Sequence, residues 1–370
     1  MQRNLFTSAN PIPQQLQERV KQLIARGGLR RGDPLPSYRE LCQRFGVSLV
    51  TMKRAMDQLA ADGIIHIQPQ KGVFVERAIA PRARKLTQLG IVYYCSRQLL
   101  FSTRYLMEIL QGLMLEAEAR SADARIFSIK SEGPLAPEEL ETSGVDGLIL
   151  VGTANQAYLE SVARQPLPAV VLDVFTPGIP LDYVVADNSS AARTVVEKLA
   201  ASGHRRIAYV DGWSTDTIKD IVIETSDVIE RRAGVLDAAR VLNLPPPTVF
   251  PVCKEEASLT GRRAAEAWLA MPERPTAIVA YDENVARSVI AALAERGIET
   301  PRDVSVAAAA CAGELSPGVP ITAVKMNFIG MGRKAVEVLE ARCRQQRLEK
   351  ERVWRVGGEF IQGASIRKLE

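Results

Sequence analysis

A chain of 370 residues is too long for one ordinary domain and points to two or three. Its composition, 46% hydrophobic and 24% charged, is that of a globular protein with ample core, and no apolar run approaches the roughly 18–20 residues that span a bilayer. Only two histidines and five dispersed cysteines (Cys42, Cys95, Cys253, Cys311, Cys343), with no C-x-x-C pair, argue against a zinc site, and the thiols read as reduced. Met1–Asn10 lacks a basic cluster followed by an apolar core, so a secretory signal is not expected and a cytoplasmic location is.

In chain order, Pro13–Arg26 has Leu16, Val20, Leu23 and Ile24 at helical spacing and is predicted to be a helix ended by Gly27-Gly28. Ser37 precedes Glu40 by three residues, a capping box that starts a second helix. Ser48 caps a third, in which Met52, Ala55, Met56 and Leu59 form the inward stripe. Thr51, Lys53, Arg54, Asp57 and Gln58 fall outside that stripe. Gly63 suits the left-handed residue after the last turn, and Ile64–Val75 is predicted to be a short hairpin. Helix, turn, helix, hairpin is the layout of a winged helix-turn-helix, whose second motif helix can lie in a DNA major groove.

From about Pro11 to Val75 the chain resembles the GntR family of bacterial transcription regulators, through Gly32-Asp33-Pro34-Leu35-Pro36-Ser37, Arg39-Glu40-Leu41 and Asp62-Gly63-Ile64. The resemblance implies that Arg39, Ser48, Thr51 and Lys53 approach DNA and that a wing tip near Lys71 and Gly72 enters the adjacent minor groove. Two positions depart from the family. Leu49 stands where an Arg usually follows the cap, and Gln70 where the wing usually has Gly. Leu cannot make the paired hydrogen bonds by which Arg grips guanine, which leaves Leu49 and Val50 as candidates for contact with thymine methyls. Charge agrees with a DNA-binding head: residues 1–86 hold 15 Lys+Arg against 6 Asp+Glu, whereas residues 87–370 hold 32 against 37.

The segment Ala78–Lys85 is basic, aperiodic and contains Pro81, so residues 77–87 read as a linker between a head at 1–76 and a body at 88–370. In the body short apolar runs alternate with helical stretches. Strands are predicted near Leu89–Tyr94, Ala124–Ile129, Gly147–Val151, Ala169–Asp173, Tyr183–Ala186, Ile207–Val210, Val249–Val252, Ala277–Ala280 and Val304–Ala308, with a hairpin-like tail at Val353–Ile361. Helices are predicted over Thr103–Arg120, Ser189–Ser202, Val228–Leu242, Ser258–Ala270 and Asn284–Arg296. The alternation gives an α/β fold class with doubly wound parallel sheets. Nine strands are too many for one core, so two lobes facing a ligand cleft are expected.

This body resembles the LacI regulators and the periplasmic-binding-protein-like fold they share, through Val185-Ala186-Asp187-Asn188, Gly203–Tyr209, Arg231-Arg232-Ala233-Gly234, Pro275–Ala280, Asp303–Val306 and Ile321–Val324. The resemblance implies three passages between the lobes, with lobe one at about 88–187 and 308–325 and lobe two at about 188–307 and 326–370. It also implies effector contacts from Asp173 and Arg231, and from Tyr281 with Asp282. The family's Gly-aromatic-Asp-Asp after the strand at Val304–Val306 is absent, and Ala308-Ala309-Ala310-Cys311 stands there. Sugar is therefore only one candidate effector. Phe101, Tyr105 and Trp213 are candidate stacking residues, with a place in the core or rim as the alternative.

Gly330-Met331-Gly332-Arg333-Lys334-Ala335 fits a dinucleotide fingerprint but lacks the βαβ unit that should follow, so its glycines are expected to serve close packing. No nucleophile elbow, phosphate loop or His-Glu-x-x-His occurs, and His204 has no evident Ser or Cys partner. The expectation is a homodimeric transcription regulator, a repressor by resemblance. It would bind a pseudo-palindromic double-stranded operator and answer to a small-molecule effector, with no cofactor, metal or membrane role. Alternatives are the same regulator with a degenerate pocket that responds to another ligand or a protein, a metabolite-acting enzyme, and a ligand-binding protein of periplasmic type.

Overall fold

The computed structural model describes residues 12–26, 29–77, 85–93, 103–128, 143–153, 155–165, 167–212, 217–218, 221–222, 225–250, 257–313, 318–344 and 351–369. Of the sequence expectations, Gly27-Gly28, residues 78–84, Cys95, Phe101, Trp213 and Cys253 lie outside these.

The head is built from α1 (Ile12–Arg26), α2 (Tyr38–Phe45), α3 (Leu49–Ala61), β1 (Ile65–Gln68) and β2 (Gly72–Val75). Leu16, Val20, Ile24, Leu41, Met52, Ala55, Met56 and Leu59 are all fully buried and form one cluster, which Ile65 and Val75 of the wing strands join. Burying each of the large ones contributes about 1.5–3 kcal/mol relative to exposure. At the start of α2, Glu40 N–H donates to Ser37 Oγ (3.3 Å) and Ser37 N–H donates to Glu40 Oε2 (2.7 Å). Gly46 ends that helix with φ 64°. In the antiparallel wing Gln68 pairs with Gly72, and Gln70 at the tip takes φ 63°. The segment before α2 backs the wing, since Gly32 N–H donates to Val75 O and Leu35 N–H to Val73 O, each at 2.8 Å.

The body contains two six-stranded sheets. The first runs β4 (Asp123–Ser128), β3 (Gln88–Tyr93), β5 (Gly147–Val151), β6 (Ala169–Leu172), β7 (Asp182–Ala186) and β15 (Arg352–Val356), all parallel. The second runs β11 (Thr248–Phe250), β8 (Ile207–Val210), β12 (Ala277–Ala280), β13 (Ser305–Cys311), β14 (Thr322–Lys325) and β16 (Glu359–Ile361), parallel except for the last pair. Strands that alternate with helices and are buried on both faces carry continuous apolar runs, as Leu148–Val151 and Ile278–Ala280 do. Helices α4 (Arg104–Ala119), α5 (Gln156–Arg164) and α10 (Phe328–Cys343) belong to the first lobe. Helices α6 (Asn188–Ala201), α7 (Ser226–Val241), α8 (Ala257–Leu269) and α9 (Glu283–Ala294) belong to the second. A two-residue ladder, β9 (Thr217–Ile218) with β10 (Ile221–Val222), lies between β8 and α7.

The expected lobe boundaries are corrected after residue 307. Residues 308–325 belong to lobe two, because β13 pairs with β12 and β14 with β13. Most of 326–357 belongs to lobe one, because α10 packs on α4 and β15 pairs with β7. The passages lie at Asp187/Asn188, between β14 and α10, and at Gly357/Gly358. The expected hairpin-like tail is also corrected: β15 and β16 lie in different sheets.

Gly332 supports close packing. A Cβ there would sit 2.4 Å from Ile109 O, and one at Gly112 would sit 2.1 Å from Ile329 O. The two glycines let α4 and α10 cross backbone to backbone.

His204 is fully buried, with Nδ1 2.9 Å from Thr276 Oγ1 and Nε2 3.1 Å from Arg367 O, so it fixes the C-terminal tail to the second sheet. Burial pushes its pKa down. The neutral ring therefore contributes stability that is fully present above the unfolded value near 6.5. That stability is lost as pH falls below it, by at most about 1.4 kcal/mol per pH unit. We expect the melting-temperature advantage of the native chain over His204→Gln to shrink between pH 7.5 and 5.5; a constant gap would contradict this.

Candidate DNA-reading face and interlobe cleft

The reading face follows from the way α3 is started and buried. Ser48 is its N-cap: Thr51 N–H donates to Ser48 Oγ (3.3 Å), and the two hydroxyls lie 2.9 Å apart. With Met52, Ala55, Met56 and Leu59 inward, the opposite side presents Leu49, Val50, Lys53 and Arg54 to solvent. Arg39 on α2 and Lys71 and Gly72 at the wing are also exposed, whereas Thr51 is part-buried. His66 is part-buried: its ring stacks on Phe74 at 5.5 Å, and its Nδ1 is 3.0 Å from Glu76 Oε2.

In the body, lobe one meets lobe two at the first turns of α7. Phe175 N–H donates to Ser226 Oγ (2.9 Å), and Arg355 of β15 donates to Glu230 (2.8 Å). Asp173 ends β6 with φ 86°, its N–H bonded to Val184 O (2.9 Å). Burial, followed by repulsion from Asp227 on α7, raises its carboxyl pKa to about 7, against the pull of Arg231. The two carboxylates thus come from opposite lobes.

Arg231 is buried and heavily engaged. Its Nε donates to Asn188 Oδ1 (2.9 Å), its Nη1 donates to Tyr281 O (3.2 Å), and its guanidinium stacks 4.2 Å from the Tyr281 ring centroid. Burial pushes the Tyr281 phenol pKa well up, so the phenol stays protonated and donates to Asp227. Asp282 caps α9, accepting from Val285 N–H at 2.9 Å, and burial raises its pKa. Beneath them the buried Asp211 accepts from Arg232. The Tyr209 hydroxyl is buried beside these groups without a hydrogen bond among the described residues.

Of the sequence-expected effector residues, Asp173, Arg231 and Tyr281 come together, with Asp282 beside them. The Tyr105 ring packs on Phe328 at 5.4 Å against the lobe-one core. Sequence reading missed Asn188, Ser226, Asp227 and Glu230. Asp227 lies four residues before Arg231, a spacing that places both on one helix face. Ala308–Ala310 are buried interior positions of β13, which extends to Cys311, three residues beyond the expected strand end at Ala308, and burial pushes up the Cys311 thiol pKa.

A capped, cation-bearing helix in a winged head, joined to a two-lobed parallel-sheet body, defines a ligand-responsive DNA-binding protein. Residues 13–75 match the model for bacterial regulatory proteins of the gntR family, and residues 196–366 match that for a periplasmic binding protein-like domain. The chain is a transcription regulator whose head matches the gntR-family model and whose body matches the periplasmic binding protein-like one. It is 23% identical over 351 residues to the arabinose metabolism transcriptional repressor of Geobacillus stearothermophilus, covering 91% of this chain and 92% of that one. A LacI-family regulator from Enterococcus faecium, solved with bound ribose, superposes with TM-score 0.60 at 18% identity over 77% of this chain and all of that one. The lac repressor dimer bound to operator and the anti-inducer ONPF gives 0.62 at 20% identity over 77% and 96%. Among the described residues no helix is long and apolar enough to cross a membrane.

Proposed function

We propose that this protein is a cytoplasmic, homodimeric repressor whose paired heads read a pseudo-palindromic operator and whose interlobe cleft binds a small metabolite. The observation that carries the proposal is α3: capped at Ser48, buried along one stripe, and cationic at Lys53 and Arg54 on the other. Repression is the activity named for the full-length relative. Dimerisation is supported by exposed Met107, Met114 and Leu115 on α4 and Ile126 on the edge strand β4, an apolar face that a second copy would cover. Effector acts by population shift, favouring one lobe arrangement and with it one spacing of the heads.

Arg39, Ser48, Leu49, Val50, Thr51, Lys53, Lys71 and Gly72 form the DNA face. Asp173, Arg231, Tyr281 and Asp282 surround the effector. The test is selection of bound genomic fragments by the full chain, followed by affinity against salt. Lys53→Ala should weaken binding and reduce the log–log salt slope by about one unit if Lys53 neutralises a phosphate. An unchanged slope removes Lys53 from the phosphate contacts.

A second reading keeps the regulator but replaces the sugar with another ligand or a protein partner. Two observations favour it: buried alanines follow the middle of β13, and Asp282 is committed to capping α9. A thermal-shift screen over sugars, nucleobases and small acids separates the two, because a ligand that binds the native fold raises its melting temperature.

A further inference from the structure

The first turn of α3 carries chemistry that phosphate binding does not use. Leu49 and Val50 are its first two residues, and they are 60% and 78% exposed. Neither belongs to the head's core cluster. A helix N-terminus ordinarily favours acidic residues. The first turn of α2 has Glu40, whereas that of α3 has no acid. Two branched apolar side chains instead project beside the capping hydroxyl of Ser48.

Helical spacing gives this arrangement a direction. Leu49 lies one turn before Lys53 on the same face, and Val50 one turn before Arg54. The exposed side of the helix is therefore apolar at its tip and cationic one turn further on. Recognition helices of this class present their N-terminal residues to base edges. Among the base edges of the major groove, the thymine C5-methyl is the apolar feature, and leucine and valine offer no hydrogen bond to the others.

We infer that Leu49 and Val50 read thymine methyl groups, so that each operator half-site carries one or two thymines at the positions facing the tip of α3, with Lys53 and Arg54 held to the flanking backbone. The inference deepens the proposed function and rests on its assignment of α3 as the DNA-reading helix. It gives the head a specificity element that works by apolar contact, continuous with a cationic face complementary to DNA.

The test uses the full-length protein and a duplex it selects from a random-sequence pool. Each thymine of that duplex is replaced in turn by deoxyuridine, which deletes the methyl and leaves base pairing intact. Binding should weaken about four-fold at one or two positions in each half-site, the factor expected for one buried methyl-sized group. Leu49→Ala or Val50→Ala should then lose most of the difference between the thymine and uracil duplexes at the matching position. Both residues are exposed, so each variant should keep the native melting temperature. Uniform tolerance of uracil overturns the inference, and so does undiminished uracil sensitivity in both variants. Failure to select any duplex would sink the DNA-reading assignment of α3 and this inference with it.

Discussion

Asp182→Ala should destabilise the body by about 3–5 kcal/mol, the range for breaking a buried ion pair by removing one partner. Asp182 is fully buried at the start of β7. Its carboxylate accepts from Arg342 Nε at 2.8 Å and from Arg352 at 2.9 Å through Nε and 3.4 Å through Nη2. Arg352 is half-exposed and can turn to water, but Arg342 is only 7% exposed and would remain as a desolvated charge without its carboxylate. The three residues come from β7, α10 and β15, and the latter two form the stretch of chain that returns from lobe two. The triad therefore fixes that return path, and its loss should loosen lobe one while the separately packed head keeps its own transition. Urea unfolding, followed by one probe in the head and one in the body, checks this. A body midpoint shifted by less than the equivalent of about 1 kcal/mol would show that the triad contributes little.

That return path is also where sequence reading stopped. The head was legible because its signals are local: a serine three residues before a glutamate, a capped apolar stripe, and a short alternating hairpin all lie within a few turns of chain. Most body strands were legible for a similar reason, since Leu148–Val151 and Ile278–Ala280 are apolar runs of strand length. Which lobe receives α10, β15 and β16 depends on which sheet edge is open, a non-local fact. β7 and β14 each offer one, and a three-residue strand such as Glu359–Ile361 carries almost no pattern of its own. Gly112 shows the same limit. Its need for a missing side chain becomes visible only when Ile329 is placed against it. In the cleft, Asp173 and Arg231 stood out by position. Asp227 and Glu230 did not, because carboxylates near an arginine on one helix ordinarily form a solvated surface pair.

Arg231→Ala separates two roles that sequence alone leaves merged. If Arg231 only touched effector, the effector-free variant would keep its native stability. The structure assigns it more: its guanidinium bonds Asn188 at the first lobe passage, holds the Tyr281 carbonyl, and offsets the charges of Asp173 and Asp227. Its removal should cost about 3–5 kcal/mol in the absence of any ligand, as expected when buried groups lose a charged partner. Arg231→Lys keeps the charge but gives up the fixed fork, so its loss should be smaller. The effect should also depend on pH. Asp173 has its pKa raised to about 7 against 3.8 unfolded, so the folded chain takes up a proton as pH falls through 7, and folding is penalised in full only above that value. Without Arg231 the Asp173 pKa rises further, which extends the penalty. The stability gap between native and variant should thus be wider at pH 8 than at pH 6, as measured by urea midpoints. A gap independent of pH would mean that Arg231 and Asp173 do not share one electrostatic site across the lobes, and a silent substitution would return Arg231 to a ligand contact alone.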